Sequence, residues 1–168
     1  MLKQLFLLLT FLSLAILSPL SNANETEEII IEEILIDSDN QDLNYKEKTL
    51  HFSGNVIVKK GNISIYADEL FVETNEKGES KKLIAKGNLA KFSQQGEGSL
   101  DISSEALEIT YLVIDEILTF NGRATLKQGT SEVTGDTIEF DLVAQRVKAE
   151  GDEAENGRVT TRLKVKKS

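Results

Sequence analysis

The sequence has no cysteine, no tryptophan, one proline (Pro19) and one histidine (His51). Without a thiol there is no disulfide, no zinc–thiolate centre and no thiolate nucleophile, and cysteine usage says nothing about redox compartment. A single imidazole removes every mechanism that needs two, and His51 has no Cys or second His to join it in holding a metal. No cofactor is expected, since there is also no G-x-x-x-x-G-K-[ST] loop to cradle a nucleotide. Positive charge is in short supply: 19 Lys and Arg stand against 28 Asp and Glu, for a net charge of −9. A broad nucleic-acid or anionic-membrane surface would have to overcome that repulsion, so no nucleic-acid partner is expected. With 168 residues, 40% of them hydrophobic and 28% charged, the chain suits one folded domain.

What is present begins at the N-terminus. Met1-Leu2-Lys3 puts a positive charge ahead of an apolar run over 5–17 that only Thr10 and Ser13 interrupt. Ser18-Pro19 breaks it, and Ser21-Asn22-Ala23 sets small residues where signal peptidase reads. Residues 1–23 are therefore expected to be a signal peptide cleaved after Ala23, leaving 24–168 as a single domain outside the cytoplasm. The rival is an uncleaved anchor, but the run as a helix rises only about 20 Å against a hydrocarbon core of roughly 30 Å.

Beyond Ala23 apolar residues alternate at period two, which indicates strands. Ile34-Leu35-Ile36, Leu50-His51-Phe52, Val56-Ile57-Val58, Ile63-Ser64-Ile65, Leu70-Phe71-Val72, Ile109-Thr110-Tyr111, Leu118-Thr119-Phe120, 133–138 and Ile138-Glu139-Phe140 are short runs cut off by Gly, Asn, Asp or Lys; 103–107 is also read as sheet. The chain resembles itself at an offset of 68: Phe52-Ser53-Gly54-Asn55-Val56 aligns with Phe120-Asn121-Gly122-Arg123-Ala124, and Asp68 with Asp136. Weaker copies surround Gly87 and Gly151. Each glycine follows apolar residues closely, so the pattern predicts stacked hairpin repeats whose strands bend at one recurrent line. Asp68 and Asp136 are expected to bond backbone N–H groups at that bend. Gly96-Glu97-Gly98-Ser99 reads as a hairpin loop.

Ile34-Leu35-Ile36-Asp37-Ser38-Asp39, Phe52-Ser53-Gly54-Asn55-Val56-Ile57-Val58, Ala67-Asp68, Leu118-Thr119-Phe120-Asn121-Gly122-Arg123-Ala124, Gly135-Asp136-Thr137-Ile138 and Gly157-Arg158-Val159-Thr160-Thr161 fall in order along about residues 30–163. In this set the chain resembles the OstA-like family of periplasmic lipopolysaccharide transport proteins. The resemblance implies an all-β fold, a twisted open-ended β-jellyroll of antiparallel strands whose interior shelters the acyl chains of lipopolysaccharide. It implies as partners lipopolysaccharide, the inner-membrane and outer-membrane components of the transport system, and further copies of the chain in a head-to-tail homo-oligomer. Related domains occur in the anchored inner-membrane component and in the N-terminal part of the outer-membrane one. A cleaved signal and a chain ending at Ser168 favour the free periplasmic member.

The residues by themselves show one continuously apolar face: Phe52, Val56 and Val58, Ile63 and Ile65, Leu70 and Val72, Ile109, Tyr111 and Val113, Leu118, Phe120, Ile138 and Phe140. Alternation alone reads equally well as an ordinary core. With the resemblance, the face becomes a lipid path, with Ile34, Ile36, Phe92, Tyr111 and Val113 foremost and Phe52, Val56, Val58, Ile65, Ile109 and Phe120 beside them. His51, on the other parity, is expected to face water. Tyr66 and Phe71, also off the apolar parity, are either exposed at a contact or packed at a bulge. Ile36, Arg158, Arg162 and Lys164 are expected at the strand edges of an oligomer. Residues 25–39 carry seven acids and no base, whereas 158–168 carry five bases and no acid, so two solvated tails or two complementary edges are both open. A glycan-cutting β-solenoid enzyme and a scaffold with a filled core are the rivals from other classes; the first lacks a carboxylate pair flanked by aromatic sugar platforms.

Overall fold

The computed structural model describes residues 33–96, 101–152 and 157–164. The expected signal peptide lies outside them, as do residues 97–99 of the expected hairpin loop, beside which the Gly96 N–H donates to Asp101 Oδ1 at 3.0 Å. The described residues form an all-β fold of strands β1 (Leu35–Asp37), β2 (Asn40–Asn44), β3 (Thr49–Lys60), β4 (Ile63–Thr74), β5 (Ser80–Gln94), β6 (Ile102–Leu112), β7 (Ile117–Gln128), β8 (Ser131–Asp141), β9 (Arg146–Glu150) and β10 (Thr160–Leu163). β3 to β8 run as an antiparallel meander; β1 and β2 both pair with β3 at one end, and β9 and β10 both pair with β8 at the other. The two ends do not join, so the sheet is open.

Several runs that look separate in the sequence are one strand. Leu50-His51-Phe52 and Val56-Ile57-Val58 both belong to β3, Ile63-Ser64-Ile65 and Leu70-Phe71-Val72 to β4, and 133–138 with Ile138-Glu139-Phe140 to β8. What divides them is a register shift, which recurs in all five pairings from β3 to β8. On β3, Gly54 and Asn55 oppose Asp68 alone. On β5, residues 87–89 oppose Leu107 alone on β6. On β7, Gly122 and Arg123 oppose Asp136 alone. The surplus residues thus sit on alternate strands, along one line across the sheet. An extra residue on one strand of a pair bends it and sharpens the twist, and shifts in five successive pairings fold the sheet back on itself.

Glycine marks this line for a steric reason. Gly54 and Gly122 have φ of +79° and +75°, followed by Asn55 and Arg123 at +47° and +53°, so the repeat at offset 68 is a repeat of backbone conformation. The other two glycines depart from it. Gly87 has an ordinary φ, and its missing Cβ leaves room for the Ala90 N–H at 3.1 Å and Asp68 Oδ2 at 3.3 Å. Gly151 lies beyond the end of β9, where its α-carbon passes close to the Gly157 carbonyl; it bends no paired strand.

Folding along the line gives two half-sheets that face each other. Half-sheet I holds β2, β9 and the parts of β3 to β8 at 49–53, 69–74, 80–86, 108–112, 117–121 and 137–141. Half-sheet II holds β1, β10 and the parts at 56–60, 63–66, 90–94, 102–105, 124–128 and 131–135. Phe92 of half II and Phe120 of half I meet edge to face with centroids 5.7 Å apart, on strands that do not pair. On the outer face, opposite charges stand directly across from each other: Glu73 with Lys82, Lys86 with Glu108, Lys91 with Glu105, Lys127 with Glu132, and Glu132 with Arg162. Each exposed pair contributes only about 0.2–1 kcal/mol, but a one-residue slip would break the pair and turn apolar side chains outward, so together they specify register.

Gly122→Ala is expected to destabilise the protein more than Gly61→Ala. Both replacements pay the left-handed penalty of about 1–2 kcal/mol, but a Cβ at residue 122 falls 2.9 Å from Leu107 Cδ1 and 3.2 Å from its Cβ, whereas none lies within 4 Å at residue 61. Urea unfolding of the two variants measures the difference; equal losses would mean that Leu107 moves aside freely.

Candidate functional site

The interior between the half-sheets is where the expected site residues converge. Phe52, Val56, Val58, Ile65, Phe92, Ile109, Tyr111 and Phe120 are all buried in one cluster with Ile63, Leu70, Val72, Leu83, Leu118, Leu126, Ile138 and Phe140. Most of these have no more than 2% of their surface exposed, so the inward face is in side-chain contact throughout. Ile34, Ile36 and Val113 pack on the cluster from its margins. Inward parity switches at the fold line: on β4 from Ile63 and Ile65 to Leu70 and Val72, on β6 from Ile102 and Ala106 to Ile109 and Tyr111. On the bulged strands β3 and β7 the inward parity is instead kept, from Phe52 to Val56 and from Phe120 to Ala124, so one face stays inward on both sides of the line.

Cover is uneven along the sheet. Among the partly buried apolar residues, Ile34, Ile36, Leu43 and Leu50 belong to the end formed by β1, β2 and β3, and Val133, Val147 and Ala149 to the end formed by β8 and β9. The apolar face therefore runs out to both open ends of the sheet. The ends also differ in charge. Glu33, Asp37, Asp39 and Asp42 are exposed beside β1 and β2; Arg158, Arg162 and Lys164 are exposed in and around β10. Arg162 is already engaged, its Nη1 2.6 Å from Glu132 Oε1. Lys166 and Lys167 lie outside the described residues. On β9, Lys148 Nζ bonds Glu150 Oε1 at 2.7 Å; that hydrogen bond and the attraction of opposite charges raise the lysine pKa and lower the carboxyl one. Exposed charges on an edge strand discourage indiscriminate pairing.

Other side chains depart from expectation. His51 does not simply face water: it lies half-buried against Phe71, rings parallel within 8° and centroids 4.4 Å apart, with Nε2 shielded from solvent. Phe71 pairs with His51 across β3 and β4, and two flat rings at directly opposed positions cover one another. Phe71 and Tyr66 remain 37% and 44% exposed, and Tyr66 sits beside the register shift between β4 and β5. Asp68 Oδ2 accepts the Asn88 N–H at 3.0 Å, fastening the β4 bend to that of β5. Its repeat partner Asp136 is exposed near the C-terminal edge. Lys60, by contrast, is buried at an inward position. Its parity with Val56 and Val58 is the sequence signal for this, which the rule that lysine faces water overrides.

The described residues thus form a folded-over sheet that is apolar within and open at both ends. The family model described as "LptA/(LptD N-terminal domain) LPS transport protein" matches residues 35–146, from β1 to the start of β9. The chain belongs to this family. The family is one of transport proteins, and two of its members show how far the likeness extends. The lipopolysaccharide export system protein LptA of Haemophilus influenzae is 30% identical over 145 residues, covering 85% of this chain and 83% of its own length. The LptA of Escherichia coli strain K12 is 33% identical over 132 residues, covering 77% and 70%. The crystal structure of LptH, the LptA-homologous periplasmic component of the lipopolysaccharide transport device of Pseudomonas aeruginosa, has a TM-score of 0.74 at 17% identity, covering 80% of this chain and 96% of that one. The open, antiparallel all-β architecture expected from the OstA-like resemblance is the one observed.

Because the interior is packed, a charged residue introduced at Phe92 or Tyr111 would cost the fold as well as any ligand. Phe92→Ala is expected to lose about 3–5 kcal/mol of stability, as aromatic truncations in close-packed cores do. Ile36→Ala, at a partly covered margin, is expected to lose no more than about 1–2 kcal/mol. Equilibrium denaturation separates them; equal losses would place Ile36 in the core proper.

Proposed function

We propose that this protein is a periplasmic lipopolysaccharide carrier, delivered by the signal segment over 1–23, which shelters lipid A acyl chains against its inward apolar face. Copies stack head to tail and carry the lipid from an inner-membrane to an outer-membrane component of the transport system. The observation that carries the reading is the apolar face that runs to both open ends of the sheet and is only partly covered there, in a chain of a lipopolysaccharide transport family. Each methylene withdrawn from water is worth about 0.8 kcal/mol, so one acyl chain of about twelve carbons represents on the order of 10 kcal/mol gross. Aliphatic contacts supply that energy without directional bonds, so a lipid can slide from one copy to the next; direction must come from another component. Chains enter where Ile34, Ile36 and Val113 are partly covered, and go deeper toward Phe92, Tyr111 and Ile109 as the half-sheets part.

One observation favours a second reading. The close contact of the inward side chains suits a scaffold with a filled core and no lipid path. Mass spectrometry of the protein purified from its own envelope is expected to find co-purifying lipid A, whereas a protein consistently free of lipid would support the scaffold.

Stacking draws support from the edges. Open strands pair by β-augmentation, and an acidic edge at β1 and β2 facing a basic edge at β10 favours head-to-tail over head-to-head contact, where like charges meet. Self-association is expected to weaken as salt rises from about 0.05 to 0.5 M, over which the screening length falls from about 14 to 4 Å. Reversing Lys164, Lys166 and Lys167 to Glu is expected to weaken it at low salt. Sedimentation velocity tests both; oligomers indifferent to salt and to the reversal would leave backbone pairing and apolar contact as the whole of the joint.

A further inference from the structure

The meander sets its turns on two rims. Turns β2–β3 (45–48), β4–β5 (75–79), β6–β7 (113–116) and β8–β9 (142–145) stand at the tips of half-sheet I, and turns β3–β4, β5–β6 and β7–β8 at the tips of half-sheet II. Between the rims lies the mouth opposite the fold line, across which Lys60 Nζ of half-sheet II stands 3.5 Å from Glu116 Oε1 of half-sheet I. The rims differ in chemistry. The three most exposed large apolar side chains among the described residues, Tyr45 at 77%, Ile114 at 72% and Val143 at 72%, are all on the rim of half-sheet I. On the other rim, Gly61-Asn62, Gly129-Thr130 and the described part of the β5–β6 turn hold none.

The three turns that carry these side chains are equivalent. Each ends on a left-handed residue, Lys48, Glu116 or Gln145, with φ of +57°, +53° and +51°. In the first and the last, a side chain closes the turn: Asn44 Oδ1 accepts the Glu47 N–H at 3.1 Å, and Asp141 Oδ1 accepts the Ala144 N–H at 2.7 Å. The rim is also bonded along its length, the carbonyls of Lys48 and Glu116 accepting the Thr74 N–H at 3.2 Å and the Leu142 N–H at 3.0 Å. Ile114 and Val143 each precede the left-handed residue by two, so they take the same place in successive turns, two strand spacings or about 10 Å apart.

Side chains this exposed bury too little to hold the fold. Singly they would be ordinary; here each adjoins the interior. Val113, beside Ile114, packs on the core cluster, Leu142, beside Val143, is buried, and Leu43 and Leu50 flank the turn of Tyr45. The apolar surface therefore continues from the interior, past its margin, onto one rim of the mouth.

We propose that the rim of half-sheet I is an external seat for acyl chains of a phosphorylated, multi-acylated lipid, with Ile114 and Val143 as its contacts and Tyr45 at its N-terminal end. The inference rests on the lipid-carrier reading and adds to it where chains lie that the packed interior has not taken in. Contact with exposed side chains requires no parting of the half-sheets, so chains rest on the rim while the interior stays closed, next to the margin at Val113 where they enter. The exposed Asp115 repels phosphate, and no cation stands in 142–145 to offset it, so this rim favours the acyl part of the lipid over its headgroup and over an anionic bilayer.

The test places a benzophenone photocrosslinker at residue 114, 143, 130 or 36 of the purified protein and loads each with lipid A. Capture is expected at 114 and 143 and not at 130, on the opposite rim; equal capture at all three would overturn the proposal. The double variant Ile114→Ser with Val143→Ser is expected to unfold in urea as the wild type does and to bind lipid A about tenfold more weakly, the scale of partly burying two aliphatic side chains. Wild-type affinity in the double variant, with capture at residue 36 but not at 114 or 143, would remove the seat and leave the carrier reading standing. No capture at any position and no lipid bound by the wild type would remove both. Binding to phosphatidylcholine vesicles that the double variant loses would make the rim a bilayer contact, and self-association that it loses in sedimentation velocity would make it a joint between copies; either result would overturn the proposal.

Discussion

Every backbone N–H and C=O in a wide antiparallel sheet must stay paired with its neighbours, yet such a sheet has an apolar face too large to leave in water. In this protein one line of bulges satisfies both demands. The surplus residues on β3, β5 and β7 fold the ladder over without cutting it, so that the half-sheets cover each other and hydrogen bonding continues on both sides of the fold. A two-sheet sandwich with separate strands would need crossover connections for the same result. Here the connections stay at the tips, and the core is assembled by bending alone.

Two properties follow from covering a sheet with itself. Cover is complete in the middle strands, where Ile109, Leu118, Phe120 and Ile138 have no exposed surface. It thins at the ends, where a single short strand on each half, β1 and β2 or β9 and β10, has no further neighbour. The closed middle and the open ends therefore arise from the same geometry. The other property is the mouth opposite the fold line, held by packing and, where Lys60 meets Glu116, by charge. Parting a mouth breaks side-chain contacts only, whereas separating strands would break the ladder, so the mouth is the mechanically weaker seam.

Much of the fold was legible in the chain. Period-two alternation identified the strands, the offset of 68 identified Gly54 and Gly122 as equivalent bends, and Asp68 took the backbone bond expected of it. The inward face was named correctly from Phe52 to Phe140 because an apolar side chain on a half-buried strand has one favourable direction. Legibility failed where an effect depended on a neighbour distant in sequence. Gly151 looked like the other glycines but has no strand opposite it, His51 was taken from the water by a Phe71 that belongs to the next strand, and Lys60 lies inward, 3.5 Å from a Glu116 carboxylate on the opposite half-sheet.

Local chemistry is written residue by residue, and so the sequence by itself determined what is local: strand propensity, the positions where backbone must turn left-handed, the sign of charge at each end, and the family whose ordered motifs it carries. The tertiary structure alone decided which residues face one another across the interior, that the apolar face emerges at both ends, and which charge is buried. Those outcomes depend on the bend accumulated over five successive strand pairings, and a bend displaces every strand beyond it. No single residue encodes a displacement that is the sum over all of them.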